Sequence, residues 1–162
     1  MIVDTNGLSA WWLNEPGLIH YLAQADRLCI PVPALAEFRF GILKSRFCQR
    51  MTHWLEQALA TTTILSADSD TTRYYAVIRR ELEAAGTPIP MNDLWIAAIA
   101  RQHQLRVLSR DVHFDKVSGL AASTGAKPAS HKQPPIRLPR RKVISWASPW
   151  GRLGRQEGAP RN

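Results

Sequence analysis

Pro88-Ile89-Pro90-Met91-Asn92-Asp93-Leu94-Trp95-Ile96-Ala97-Ala98-Ile99-Ala100 puts a carboxylate at the mouth of a nearly all-apolar segment. The two prolines hold the approach extended, Asn92 is suited to cap a first turn, and Leu94 to Ala100 reads as a helix buried on most sides. Asp93 gains from the positive end of that helix, yet it stands where the interior of a domain begins. Taken alone, such an acid is most often a cap or a dipole partner. A chemical role requires other acids to reach the same place, and Asp4, Glu37 and Asp111 are the candidates.

Working outward, the apolar helix runs to about His103, a strand Leu105 to Ser109 follows, and Asp111 comes directly after it. Upstream, Ser66 or Asp68 can begin a helix with Tyr75, Ile78 and Leu82 on its inner face, which Gly86 is placed to stop. Thr61 to Leu65 is β-branched and strand-like. Before it, Met51, Trp54, Leu55 and Leu59 recur at helical spacing over Arg46 to Ala60, and Leu35, Phe38, Ile42 and Leu43 do so over Ala34 to Lys44, with Pro33 in its first turn. Glu37 lies on this last helix. Leu28 to Val32 is a strand, Pro16 to Ala25 and Leu8 to Leu13 are short helices, and Met1 to Thr5 is a first strand that ends in an Asn6-Gly7 turn. Strands alternating with helices predict a parallel α/β sheet layered by helices, which binds ligands beyond the carboxyl ends of its strands. Asp4 and Asp111 fall on that edge, and Glu37 and Asp93 can face the same rim.

A length of 162 residues suits one domain with a proper core. The net charge of +8 misleads, because residues 1–120 hold 12 basic and 12 acidic side chains while residues 121–162 hold nine and one. The basic balance, which ordinarily suggests a nucleic-acid partner, therefore belongs to a proline-rich tail, expected to be disordered or loosely attached, with Val143 to Trp146 as a candidate edge strand. Residues 1–120 form the expected domain. Cys29 and Cys48 lack a C-x-x-C partner, the five histidines show no close pairing, and a zinc site is not expected. No secretory pattern and no membrane-length apolar run is seen, so a cytoplasmic protein without a membrane partner is the expectation.

Carboxylates crowded into one cleft repel unless a divalent cation neutralises them, and hard oxygen ligands without His or Cys point to Mg²⁺ or Mn²⁺ and to phosphoryl-transfer chemistry. Four segments carry a resemblance: Met1-Ile2-Val3-Asp4-Thr5-Asn6, Leu35-Ala36-Glu37-Phe38-Arg39-Phe40-Gly41, Asn92-Asp93-Leu94-Trp95-Ile96-Ala97, and Ser109-Arg110-Asp111-Val112-His113-Phe114. In this order and spacing they resemble a PIN-domain ribonuclease of the VapC toxin type. The resemblance implies a three-layer PIN-like fold with a central parallel sheet of four to five strands flanked by helices. It also implies a toxin endoribonuclease that hydrolyses RNA with Mg²⁺, or Mn²⁺ in its place. Its acidic quartet falls on Asp4, Glu37, Asp93 and Asp111 as catalytic residues and metal ligands, and its partners are RNA, a cognate VapB-like antitoxin and a second copy of the chain.

Around these, Thr5, Asn6 and Ser109 are candidates to hydrogen-bond the carboxylates, Asp115 is read as structural, and Arg39, Lys44, Arg46 and Arg110 are candidates for phosphate contacts. Trp11 and Trp12 are adjacent on a helix, so either one is left for a partner or both pack at a helix junction. The alternative reading is a non-catalytic PIN-like module that binds RNA or antitoxin. A phosphoryl-accepting receiver fits less well, because Asp4 is followed by Thr5-Asn6 rather than by a second acid and Ser109 to Asp111 contains no lysine.

Overall fold

Ile2 and Val3 form the first strand, β1, and neither side chain reaches solvent. Successive strand residues point to opposite faces, so both faces at this point are covered. The same holds for β2 (Cys29–Pro31) and β4 (Val107–Leu108), all of whose residues are buried, whereas β3 (Thr63–Leu65) leaves Ile64 47% exposed, as an edge strand can. These belong to a computed structural model that describes residues 1–123. The candidate strand Val143 to Trp146 lies outside the described residues.

The sheet is five-stranded and all parallel, in the order β3-β2-β1-β4-β5, with β5 at Ala122–Ser123. Ile2 pairs with Cys29 on one side and Val107 on the other, and Val107 and Leu108 pair with Ala122 and Ser123. The last strand thus draws two residues of the segment assigned to the tail into the sheet. Six helices supply the crossovers: α1 (Thr5–Trp12), α2 (Pro16–Ala23), α3 (Val32–Leu43), α4 (Cys48–Ala60), α5 (Thr71–Ala84) and α6 (Met91–His103). The chain winds outward from β1 to β3, then returns through α5 and α6 to the other side of β1. This reversal opens a crevice at the carboxyl ends of β1 and β4, where open α/β sheets bind ligands.

Two of the helix starts that differ from the sequence reading bear on the candidate site. Asn6-Gly7 is not a turn: α1 begins at Thr5 because the Asp4 side chain accepts the Gly7 N–H at 2.6 Å and caps it. Likewise α6 begins at Met91, with Pro90 in the cap position, so Asn92 caps nothing and lies inside the first turn beside Asp93. From Leu94 to Ala100 every residue of α6 is buried except Trp95, whose ring packs 4.3 Å from that of Tyr75 on α5. At the start of α5, Asp68 accepts the backbone N–H of Thr71 at 2.9 Å, and Gly86 ends the helix with φ +66°. Thr87 N–H then reaches Leu82 O at 2.9 Å, closing the C-terminal motif that a left-handed residue allows.

Candidate active site

Asp4 is the residue at which β1 becomes α1, and it is 2% exposed. Its Oδ1 accepts the Gly7 N–H, and its Oδ2 accepts the hydroxyl of Ser109, which is fully buried just beyond β4. Ser109 Oγ in turn accepts the backbone N–H of Asp111 at 2.8 Å. One serine therefore ties the acid after β1 to the acid after β4. Gly7 permits this approach: a Cβ there would fall 2.8 Å from Leu108 O, 2.9 Å from Val3 Cγ1 and 3.1 Å from Asp4 Oδ1.

Asp93, in the first turn of α6, points its Oδ2 at His113 Nδ1 across 2.7 Å, and the same nitrogen stands 2.9 Å from Asp111 Oδ1. Glu37 projects from α3 into solvent at the rim, where its Oε2 accepts Thr5 Oγ1–H at 2.9 Å and the Asn92 amide at 3.5 Å. All four acids expected from the sequence line one cleft of about 410 Å³, together with Asn6, Asn92 and His113. Sequence reasoning passed over two of these contacts. Asn92 was read as a cap, and His113, though quoted within the Ser109 to Phe114 segment, was given no role at the site, although its place two residues after Asp111 was the available signal.

The electrostatics fit a cation. Burial pushes the Asp4 carboxyl up to about 6, against the opposing pull of its bonds from Ser109 and Gly7, and the charges of Asp93 and Asp111 add to the rise. Asp93 is also raised, first by burial and further by Asp111 and Glu37, against the bond from His113. Among the described residues no lysine or arginine lines the cleft. A set of hard carboxylate oxygens short of positive charge suits a divalent ion of the magnesium or manganese kind. Asp93, Asp111 and His113 each bring one ligand-capable atom within 4.8 Å of the others, with Asp4 and Glu37 on the same walls.

The secondary expectations divide. Thr5 and Ser109 do bond carboxylates, Asn6 lines the cleft, and Asp115 is exposed outside it. Trp11 and Trp12 both pack edge-on against Trp54 of α4, with ring centres at 5.5 and 5.7 Å, so the helix-junction role holds for both. Of the basic candidates, Arg110 is engaged by both oxygens of Glu15 at 2.8 and 3.0 Å, Arg39 lies 3.6 Å from Glu56, and Lys44 and Arg46 sit over the rings of Phe40 and Phe47. Among the described residues no helix is long and apolar enough to cross a membrane.

Residues 1–120 match the family model for the PIN domain. The chain is 33% identical over 99 residues to ribonuclease VapC5 of Mycobacterium tuberculosis, covering 60% of this chain and 73% of that protein. It is 30% identical over 140 residues to a VapC ribonuclease of Sinorhizobium fredii, covering 80% and 99%. Its fold superposes with a TM-score of 0.68 on a chain of the VapBC2 complex from Rickettsia felis bound to a DNA fragment from their promoter, at 25% identity over 75% of this chain and 96% of that one. With its parallel sheet, its carboxylate-lined crevice and these likenesses, the chain belongs to the PIN-domain family, among the VapC proteins.

Proposed function

We propose that this protein is a divalent-metal-dependent endoribonuclease that hydrolyses RNA phosphodiester bonds with Asp4, Glu37, Asp93 and Asp111, as the toxin of a pair whose other member is a VapB-like antitoxin. The observation that carries the reading is the convergence of four carboxylates, from the end of β1, α3, α6 and the segment after β4, in one cleft with no lysine or arginine among its described walls. The names of the relatives, ribonucleases and partners in VapBC complexes, support the RNA substrate and the antitoxin. A cytoplasmic location and a homodimer accompany the reading.

Asp4, Asp93 and Asp111 would hold Mg²⁺, or Mn²⁺ in its place. Bound there, the ion supplies charge stabilisation at the scissile phosphate and a water of lowered pKa. The protein's own part is geometric. Gly7 and Ser109 immobilise Asp4, and Ser109 also orients the backbone of Asp111, so that these two acids keep a fixed separation before substrate arrives. Glu37 has its Oε2 engaged by Thr5 and Asn92, and we assign its Oε1 to orienting the attacking water at the open rim. Residues 124–162 are taken as an appendage to the catalytic unit, so a chain ending at Ser123 retains cleavage but loses the salt-dependent part of RNA affinity that nine basic side chains confer.

The test is cleavage of a structured RNA pool by protein freed of antitoxin, with Mg²⁺, with EDTA, and with Asp93→Asn. Cleavage is expected to vanish with EDTA and to fall by roughly 100-fold or more in the variant. Activity that survives both treatments rejects the reading. Absence of cleavage by folded protein that binds Mg²⁺ would favour the non-catalytic module.

A further inference from the structure

Asp93 and Asp111 arrive from different elements and carry like charge, so the backbone alone gives their oxygens no reason to stay together. One side chain joins them. His113 Nδ1 lies 2.7 Å from Asp93 Oδ2 and 2.9 Å from Asp111 Oδ1, and the His113 backbone N–H donates to that same Asp111 oxygen at 3.0 Å. Phe114, the next residue, is fully buried and opens a 3-10 turn, which anchors the base of the ring. Among the described residues, the ring of His113 is the only donor to the Asp93 carboxylate. Followed outward, the bonds run from Gly7 to Asp4, to Ser109, to Asp111, to His113 and so to Asp93. His113 is the link by which α6 joins the group built on β1 and β4.

We propose that His113 is a positioning residue of the metal centre: its ring's hydrogen bond to Asp93, together with its backbone N–H bond to Asp111, fixes the separation at which the two carboxylates receive a divalent ion. The proposal rests on the nuclease reading above. Partners that orient ligating side chains are commonly worth 10- to 100-fold in metal affinity, and here the two ligands being oriented repel one another.

Mn²⁺ is the probe, its binding followed by the paramagnetic resonance of the free ion at one fixed pH, for wild type, Asp93→Asn, His113→Leu and His113→Asn. Asparagine carries its amide nitrogen where the ring carries Nδ1, and so restores the donor without the ring. Wild type is expected to bind Mn²⁺, Asp93→Asn to lose binding, His113→Leu to weaken it by roughly 10- to 100-fold, and His113→Asn to recover to within about threefold of wild type. In RNA cleavage at saturating Mn²⁺, His113→Leu should lower kcat with KM unchanged, a split that mere loss of packing does not give. If the leucine variant fails to fold, His113→Gln, whose donor sits one bond further out, replaces it with the same expectation.

Wild-type affinity in His113→Leu, or equal losses in the leucine and asparagine variants, overturns the proposal. If Asp93→Asn still abolishes binding in that case, the nuclease reading stands and only the role of His113 falls. If wild type binds no Mn²⁺, both fall together.

Discussion

Gly7 lies so close under Leu108 that the position a Cβ would take is 2.8 Å from the Leu108 carbonyl oxygen. The first turn of α1 is thereby pressed against the end of β4, which brings Asp4 and Ser109 within hydrogen-bonding reach. Gly7→Ala must push backbone, not a flexible side-chain tip. It is expected to cost about 2–3 kcal/mol in urea unfolding and to lower cleavage beyond what the loss of folded protein explains. An alanine variant of unchanged stability would mean that this close approach relaxes freely.

The Asp4 carboxyl, raised to about 6 by burial, sets a pH dependence whose sign is unusual for an aspartate. The metal-free folded state holds the proton more tightly than the unfolded chain, whose value is 3.8, so the stabilisation is fully present below pH 3.8 and is lost as pH rises through about 6. The loss amounts to roughly 3 kcal/mol. In EDTA, Asp4→Asn should therefore melt above wild type at pH 7.5 and lose that advantage near pH 4, since the Ser109 hydroxyl can turn to accept from the amide. Addition of Mn²⁺ at pH 7.5 should raise the wild-type melting temperature and leave the variant unmoved. Parallel melting curves across this range would contradict the assignment.

Two helices end alike on different residues. Gly86 takes the left-handed conformation after α5 with φ +66°, and Gln104 takes it after α6 with φ 54° and ψ 37°. A side chain in this region costs on the order of 1 kcal/mol, which glycine avoids at some expense in unfolded-chain entropy. Gly86→Ala should destabilise by about 1 kcal/mol, and Gln104→Gly should stabilise by about 0.5 kcal/mol. Thermal melts give both signs at once.

Trp54 holds three rings: Trp11, Trp12 and, at 5.8 Å, Phe38. Trp54→Ala is expected to cost about 3 kcal/mol, and Trp54→Phe about 1 kcal/mol, because a phenyl ring keeps part of the aromatic packing. Denaturant titration followed by tryptophan emission measures both. A Trp54→Phe cost near zero would show that the indole contributes no more than a phenyl ring.

The sheet was legible because its strands are buried on both faces: Ile2-Val3, Cys29-Ile30 and Val107-Leu108 stand out as short apolar runs separated by helical periodicity. Their carboxyl ends carried the site with them, which is why Asp4 and Asp111 could be located from strand ends alone. Local chemistry misled where tertiary packing overrode it. Asn6-Gly7 has the composition of a turn, yet a carboxylate cap and a tight fit against Leu108 make it the first turn of a helix. Asn92 has the composition of a cap, yet Pro90 takes that place and the amide reaches Glu37, 55 residues away in the chain. The bridge from His113 to Asp93 depends on the angle at which α6 meets the segment after β4, a quantity no periodicity encodes.

The bond from Ser109 to Asp4 spans 105 positions of the chain, joining its fourth residue to one that follows the return crossover. During synthesis the first strand therefore waits for the fourth, because neither Ser109 nor Asp111 exists while α1 to α6 are being made. A nascent chain stalled within α6 should have three of the four acids and no cleaving activity in the RNA assay. On the proposed reading, the quartet is therefore incomplete until Asp111 of the 162 residues has been added.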